Sequence, residues 1–321
     1  MPLRRSPANP ILVPADVPAL SPAFTDVSSV FNPGAVRLPD RYVLLVRVQS
    51  RGRETCLVTA ESADGVHFAL AGAPVRFRGL ADVGRTIFHV YDPRITPLEG
   101  AYYITIAADV DGGCLLGTVR TTDFMEFDFL GFSGEPDIRN GVLFPQRIDG
   151  RYARLDRPNT IRLAGGVTSG DEIILSLSDD LVHWDAVAPV MRGRPHFWDE
   201  RIGPGPPPVR TREGWLVLYH GVATHFASTN IYQAGVALLD LHDPTRVVAR
   251  GRNNVLEPRE PYELMGQVPN VVFPSGWVVE HVDTDGYAAP SSQVKIYYGA
   301  ADTVIGLATT TVAALLDACR V

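Results

Sequence analysis

The chain has 321 residues, 45% of them apolar, enough to build a sizeable core without any low-complexity stretch. A net charge of -7 excludes nucleic acid as the main partner, since a phosphate backbone demands a basic face. The three cysteines, Cys56, Cys114 and Cys319, have no close pair; they make neither a disulfide framework nor a zinc site and suit a reducing compartment.

Taken from the start, residues 1–20 carry Arg4 and Arg5 and a proline-punctuated stretch, PANPILVPADVPAL, with no continuous apolar run. That is no signal peptide, and no later run is long enough to span a membrane, so the expectation is a cytoplasmic protein without a membrane partner. Short apolar runs then follow: RYVLLVRV (41–48), AYYITIAA (101–108), EIILSLS (172–178), GWLVLYHGV (214–222) and VKIYYGAA (294–301). Rich in β-branched and aromatic residues and bounded by Gly, Pro, Asp and Asn, they predict strands. Helical periodicity is confined to the tail, TTVAALLDACRV, which predicts a closing helix over 311–320.

A repeat organises these strands. SADGVHF (62–68), TTDFMEF (121–127) and SDDLVHW (178–184) share a small hydroxyl residue, an Asp at the third position and an aromatic at the seventh. A degenerate copy, LHDPTRV, starts at Leu241, so the aligned aspartates are Asp64, Asp123, Asp180 and Asp243. A period near sixty residues with several strands per unit is the mark of a propeller blade, and the chain holds about five such units. The expected architecture is all-β, a single five-bladed β-propeller domain over 1–321 with a short N-terminal extension. The repeat aspartates are expected to cap turns and the aromatics to pack between blades.

A propeller converges on an axial funnel, so its site residues should be scattered at about one cluster per blade. Five clusters fit: VFNPGAV (30–36) with the arginines of LLVRVQSRGR; VYDPRIT (90–96); DIRNGVLFP (137–145) leading into YARLDRPN (152–159); WDERIG with the Pro-rich turn and strand that end on His220; and PYELMGQVPNVVFPSG (261–276) with YYGAADT (297–303). In VYDPRIT, Asp92 precedes a proline, and Arg94 two residues on shares its side of an extended chain. A lone Asp-Pro is ordinarily a turn; beside a guanidinium in a funnel it fits an acid catalyst or an ion pair. Arg139, Arg157 and Arg201 sit where polar loops meet strands. Single arginines are mostly solvated surface charges, but proline pins the backbone beside Arg157 and Arg201, and fixed guanidiniums in one funnel call for an anion between them. All the cations but Lys295 and the histidines are arginine, whose planar fork suits oxyanions. A histidine ending a strand, as His220 does, is ordinarily a satisfied core residue; facing the funnel, it would donate to the same anion. The eight histidines lack metal spacing.

Together these residues resemble glycoside hydrolase family 130, the β-mannoside phosphorylases and related mannosidases. The likeness runs from FNPGAV through DPRIT, VLFP, the LDRP block, IGPGPPP with GWLVLYHGV, ALLDLHDP and PNVVFPSG to YYGAADT, nearly the whole chain. It implies a five-bladed propeller and an inverting phosphorolysis: inorganic phosphate attacks the anomeric carbon of a β-mannosyl unit, giving α-mannose 1-phosphate and a shortened acceptor. By the same resemblance Asp92 is the acid, acting directly or through a sugar hydroxyl. Arg139, Arg157, Arg201, His220 and Tyr232 bind phosphate, and Asn32, Arg47, Arg94, Asp156, Glu263 and Asp302 bind sugar. Two positions depart from the family pattern: Arg201 stands where several phosphorylases have lysine, and Tyr91 where many have glutamate.

Phosphorolysis needs a cationic cradle but no general base, whereas inverting hydrolysis needs a second carboxylate to activate water. The preferred substrate is a β-1,2-linked manno-oligosaccharide, from a general likeness of the N-terminal half. The alternatives are an inverting β-mannosidase, whose mark would be loss of the basic cradle, and a non-catalytic sugar-binding propeller, whose mark would be loss of the acid. No metal, nucleotide or flavin cofactor is expected, phosphate being a co-substrate, and a homo-oligomer is the default assembly.

Overall fold

The structure is a computed structural model and describes residues 2–134, 137–162, 168–224 and 230–321. Five antiparallel sheets of mostly four strands each stand around an axis. Named from the axis outward, blade 1 is Val27–Arg37, Tyr42–Ser50, Thr55–Ser62 and Ala69–Leu70. Blade 2 is Ile87–Leu98, Ala101–Val110, Gly113–Thr121 and Phe127–Phe132, with Phe77–Arg78 added in parallel at its outer edge. Blade 3 is Ile138–Leu143, Tyr152–Pro158, Glu172–Ser178 and Asp185–Arg192. Blade 4 is Arg201–Pro204, Gly214–Ala223, Ile231–Leu239 and Val247–Arg250. Blade 5 is Val272–Val279, Gln293–Ala300, Val304–Thr311 and Arg4–Arg5. The expected strands and the five-bladed propeller are thus found, and the closing helix spans Val312–Ala318, its first turn capped by the Thr311 hydroxyl.

The sequence runs apolar without alternation because each blade is buried on both faces. In Tyr42–Ser50 successive side chains point to opposite sides. Leu44, Val46 and Val48 pack with Ile305 and Leu307 of blade 5. Val43 and Leu45 pack with Ile95 and Ile104 of blade 2. Comparable cores fill the spaces between blades 2 and 3, 3 and 4, and 4 and 5.

The repeat residues act as expected in three blades. Ser62 and Asp64 accept the backbone N–H groups of Gly65, Val66 and His67, and the Thr121–Asp123 and Ser178–Asp180 pairs do the same. Phe68 meets Tyr297 of the neighbouring blade edge-on at 5.7 Å. In the fourth blade the register differs: Asp240, one residue before the expected copy, takes the hydroxyl's place and accepts from His242 and Asp243.

The N-terminal segment is not an extension. Arg4 and Arg5 pair with Thr309 and Ala308 as the outermost strand of blade 5, so the two ends of the chain close one sheet. Arg5 then reaches inward to the buried Glu263, at 2.7 Å from Nε and 2.8 Å from Nη2.

Candidate active site

One device recurs on the innermost strands. The register slips at Phe31–Gly34, Tyr91–Arg94, Arg139–Val142 and Pro274–Gly276, a bulge at the same level in four blades. A bulge bends a strand and re-aims the side chain at its apex. At three apices stand Asn32, Asp92 and Asn140, with φ of 47°, 52° and 59°. Asn and Asp tolerate this left-handed region better than other residues with a Cβ, which explains the residue types chosen. Asp302, in the turn leading into Val304–Thr311, has φ 49°. Such strained positions gather at functional sites.

These residues line a cavity of about 310 Å³ on the axis, together with Arg47, Tyr91, Asp109, Arg139, Arg157, Tyr232, Val268, Val271 and Phe273. All the blades but the fourth's innermost strand reach it directly; blade 4 supplies Tyr232.

The cavity has an acid wall and a cationic wall. On the acid wall Asp92 Oδ1 accepts from Asn32 Nδ2 at 3.0 Å and from Arg47 Nη1 at 3.3 Å. Arg47 is itself held between two rings, 4.5 Å from the centroid of Phe31 and 4.7 Å from that of Tyr91. Asp302 lies on the same wall, its carboxyl pushed up to about 6 by burial, with Arg47 opposing that shift and Asp92 adding to it.

On the cationic wall stand Arg139 and Arg157. Arg157 is buried, and burial lowers its guanidinium to about 10, with Arg139's charge adding to the effect. Its Nη2 donates to Asn159 Oδ1 at 2.9 Å, while its Nε is buried without a partner, as is the Nε of Arg139. Buried donors normally find acceptors, and three arginines of the cavity, Arg47, Arg139 and Arg157, each keep a buried Nε–H without one. Arg47 is already hydrogen-bonded to Asp92, whereas Arg139 meets its nearest carboxylate, Asp109, only at 3.7 Å, so Arg139 and Arg157 are the pair suited to an anion.

The remaining expected residues lie elsewhere. Arg94 is fully buried behind the cavity wall, donating to the carbonyls of Asp92 at 2.8 Å and Gly205 at 2.9 Å, so it ties blade 2 to blade 4 and does not face the cavity. Asp156 is consumed by Arg154, 2.6 Å away, both with 0% side-chain exposure. Glu263 is likewise spent, accepting from Arg5, from the Tyr298 hydroxyl at 2.8 Å and from two backbone N–H groups. His220 does not line the cavity: it is buried behind Tyr232 and Phe273, with ring centroids 6.3 and 4.7 Å away. Burial, then the charges of Arg157 and Arg94, holds its imidazole well below the usual histidine range and so neutral. Arg201 is also outside the lining and donates to Thr224 Oγ1 at 2.8 Å.

The stiff turn between Arg201 and His220 therefore works one layer back. Gly203 pairs with His220 across the sheet, and a Cβ there would strike the imidazole and come within 3.1 Å of Arg157 Cδ. The turn packs His220 against the arginine, and the arginine faces the cavity.

Asp109 and Asn140 were not singled out in the sequence. Asp109 lies inside the strand Ala101–Val110 but follows the apolar run 101–108 and so reads in sequence as a turn residue; only the slight excess of polar groups around Arg139 could have pointed to Asn140, which lies inside the DIRNGVLFP cluster.

A propeller whose funnel opposes a carboxylate to guanidiniums has the makings of a site that sets an acid beside an anion. The family described as beta-1,4-mannooligosaccharide phosphorylase, glycoside hydrolase family 130, matches residues 2–321, and the chain belongs to that family. It is 31% identical over 323 residues to a beta-1,4-mannooligosaccharide phosphorylase of Ruminococcus albus, covering 98% of this chain and 89% of the relative. It is 29% identical over 308 residues to a 1,2-beta-oligomannan phosphorylase of Thermoanaerobacter, covering 92% and 95%. Among solved structures, a beta-1,2-mannobiose phosphorylase of Listeria innocua in complex with beta-1,2-mannobiose superposes with a TM-score of 0.83 at 27% identity, over 99% of each chain. Among the described residues no helix is long and apolar enough to cross a membrane.

Proposed function

We propose that this protein is an inverting β-mannoside phosphorylase acting on β-1,2-linked manno-oligosaccharides. The observation that carries the reading is the pair of guanidiniums of Arg139 and Arg157 in the same cavity as Asp92, each with a buried, unpartnered Nε–H and, unlike Arg47, not hydrogen-bonded to the Asp92 carboxylate. Family membership and the phosphorylase names of the relatives support the reaction, and the likeness to the Listeria beta-1,2-mannobiose phosphorylase supports the linkage.

In this reading phosphate rests on Arg139, Arg157 and Tyr232, and the terminal mannosyl unit lies between it and Asp92. Asn32 and Arg47 fix the Asp92 carboxyl, and Asp302 takes a sugar hydroxyl. A phosphate oxygen bonds to the anomeric carbon as the glycosidic C–O bond breaks. Asp92 delivers the proton to the leaving oxygen, directly or through a sugar hydroxyl. The products are α-mannose 1-phosphate and the shortened acceptor. The arginines hold an anion that arrives already nucleophilic, so no base has to activate water. His220 and Arg201 support the phosphate site from behind, His220 through its packing on Tyr232 and near Arg157. No cofactor enters the scheme.

The test is product release from β-1,2-mannobiose with and without inorganic phosphate. Mannose 1-phosphate formed only with phosphate is the expected result. Free mannose at an equal rate without phosphate would establish a hydrolase instead, and turnover of β-1,4-mannobiose alone would move the linkage.

A further inference from the structure

Tyr91 touches both walls of the cavity. Its ring carries Arg47 at 4.7 Å on the acid side and Arg139 at 5.9 Å on the cationic side. Its hydroxyl donates to Asp109 Oδ1 at 2.7 Å, and Asp109 in turn faces Arg139 Nη2 at 3.7 Å. Cys114 Sγ lies 3.5 Å from the same hydroxyl and closes the pocket behind it.

We propose that Tyr91 is a positioning residue that sets the register between the two walls: its ring braces the Arg47 that holds Asp92, and its hydroxyl braces the Asp109 that orients Arg139. The inference rests on the phosphorolysis reading above.

The two functions of the side chain are separable. Asp109 is more than a third exposed and faces Arg139 across a gap longer than a hydrogen bond. A carboxylate that loose orients a guanidinium only if something fixes it, and the tyrosine hydroxyl does so from the buried side. Burial pushes the Tyr91 hydroxyl well above the usual phenol range, so it keeps its proton and remains a donor to Asp109. The Arg47 contact is different in kind, since it uses the ring face and needs no hydroxyl.

Three variants separate these roles. Tyr91→Phe keeps the ring and removes the donor. Its KM for phosphate should rise roughly 3- to 10-fold, the size expected of one hydrogen bond to a charged group's partner, while kcat and the KM for β-1,2-mannobiose stay within about twofold. Asp109→Asn should reproduce that split, and the double variant should be no worse than Asp109→Asn alone. Tyr91→Leu should in addition lower kcat, because Arg47 loses one of its two rings. Calorimetric titration with inorganic phosphate gives a readout independent of turnover. If the unaltered protein binds and uses phosphate but Tyr91→Phe titrates and turns over identically, this inference is overturned and the phosphorolysis reading stands. If Tyr91→Phe raises both KM values equally, or is too unstable to purify while Asp109→Asn leaves phosphate use unchanged, the inference is again overturned. If the unaltered protein binds no phosphate, the phosphorolysis reading falls and takes this inference with it.

Discussion

The innermost strands open on a cavity at each of their two mouths, and the two cavities differ in almost every property. At one end lies the polar cavity with its bulges and left-handed Asn and Asp residues. At the other lies a cavity of about 350 Å³ lined mainly by apolar groups, among them Ala35, Ile95, Pro97, Pro145, Pro207 and Trp277. A single strand serves both: Val27–Arg37 gives Asn32 to the first and Ala35 to the second. Between the mouths, side chains of one blade capture carbonyls of another. Ser275 donates to Pro33 O at 2.9 Å and Thr105 to Gly141 O at 2.5 Å, and at the apolar mouth itself Trp277 donates to Pro207 O at 2.7 Å. The lesson is that chemistry here occupies half of each strand, and the other half supplies the rigidity that keeps strained apices in place.

That contrast can be broken in order of effect. Asp92→Asn, at the polar mouth, should lower kcat by about 100- to 10,000-fold without loss of folding, read by mannose 1-phosphate release and circular dichroism. A variant with near-normal turnover would remove Asp92 as the acid. Arg157→Ala should raise the phosphate KM by roughly 10- to 100-fold, the worth of a hydrogen bond to a charged group, with a smaller change in sugar affinity.

Midway along the strands the effect should pass from turnover to stability. A Cβ on Gly276 would lie 2.6 Å from Ala35 Cβ and 2.8 Å from the Pro33 carbonyl. Gly276→Ala should therefore cost about 1–3 kcal/mol in denaturant unfolding, as overpacking does. At the polar mouth Asp302 supplies a pH test. Its folded-state value, about 6, lies above the ordinary carboxyl value, so the folded protein keeps that proton longer than the unfolded chain does. Its contribution to stability is thus lost as pH rises from about 4 through about 6. Asp302→Asn should be the more stable protein above pH 6, with the advantage vanishing toward pH 4; an advantage independent of pH would contradict the assignment. At the apolar mouth, Val282→Ser alters a 59% exposed side chain and should shift stability by less than about 0.5 kcal/mol with kcat unchanged.

The blade count was legible because the hydroxyl–Asp turn repeats its own local hydrogen bonds, and local patterns survive in sequence. Asp92, Asn32 and Asp302 were legible through the Pro- or turn-flanked motifs that hold them. Asp156 and Glu263, expected to bind sugar, do not line the cavity, for a physical reason. Each is neutralised by an arginine: Arg154 sits two residues away on the same strand face, a pairing the spacing allowed, whereas Arg5 lies 258 residues away, where sequence position does not reveal it. Arg94 and His220 carry the right chemistry but sit a layer too deep, and depth is set by how blades pack, which no single strand encodes. Asp109 was missed because its role exists only through Tyr91 and Arg139, contacts made across sheets.

The pairing of Arg4 and Arg5 with the last long strand has a consequence for biosynthesis. Arg4 and Arg5 supply the outer edge of the blade that also holds Val304–Thr311, so in a growing chain that edge has no strand to pair with until Val304–Thr311 has been made. Until then Glu263 waits, a carboxylate without its arginine, in the segment whose backbone carbonyl receives Val271 of the cavity wall. The pairing that completes the blade is therefore also the one that brings Arg5 to Glu263, and through Glu263 it is joined to the cavity wall at Val271.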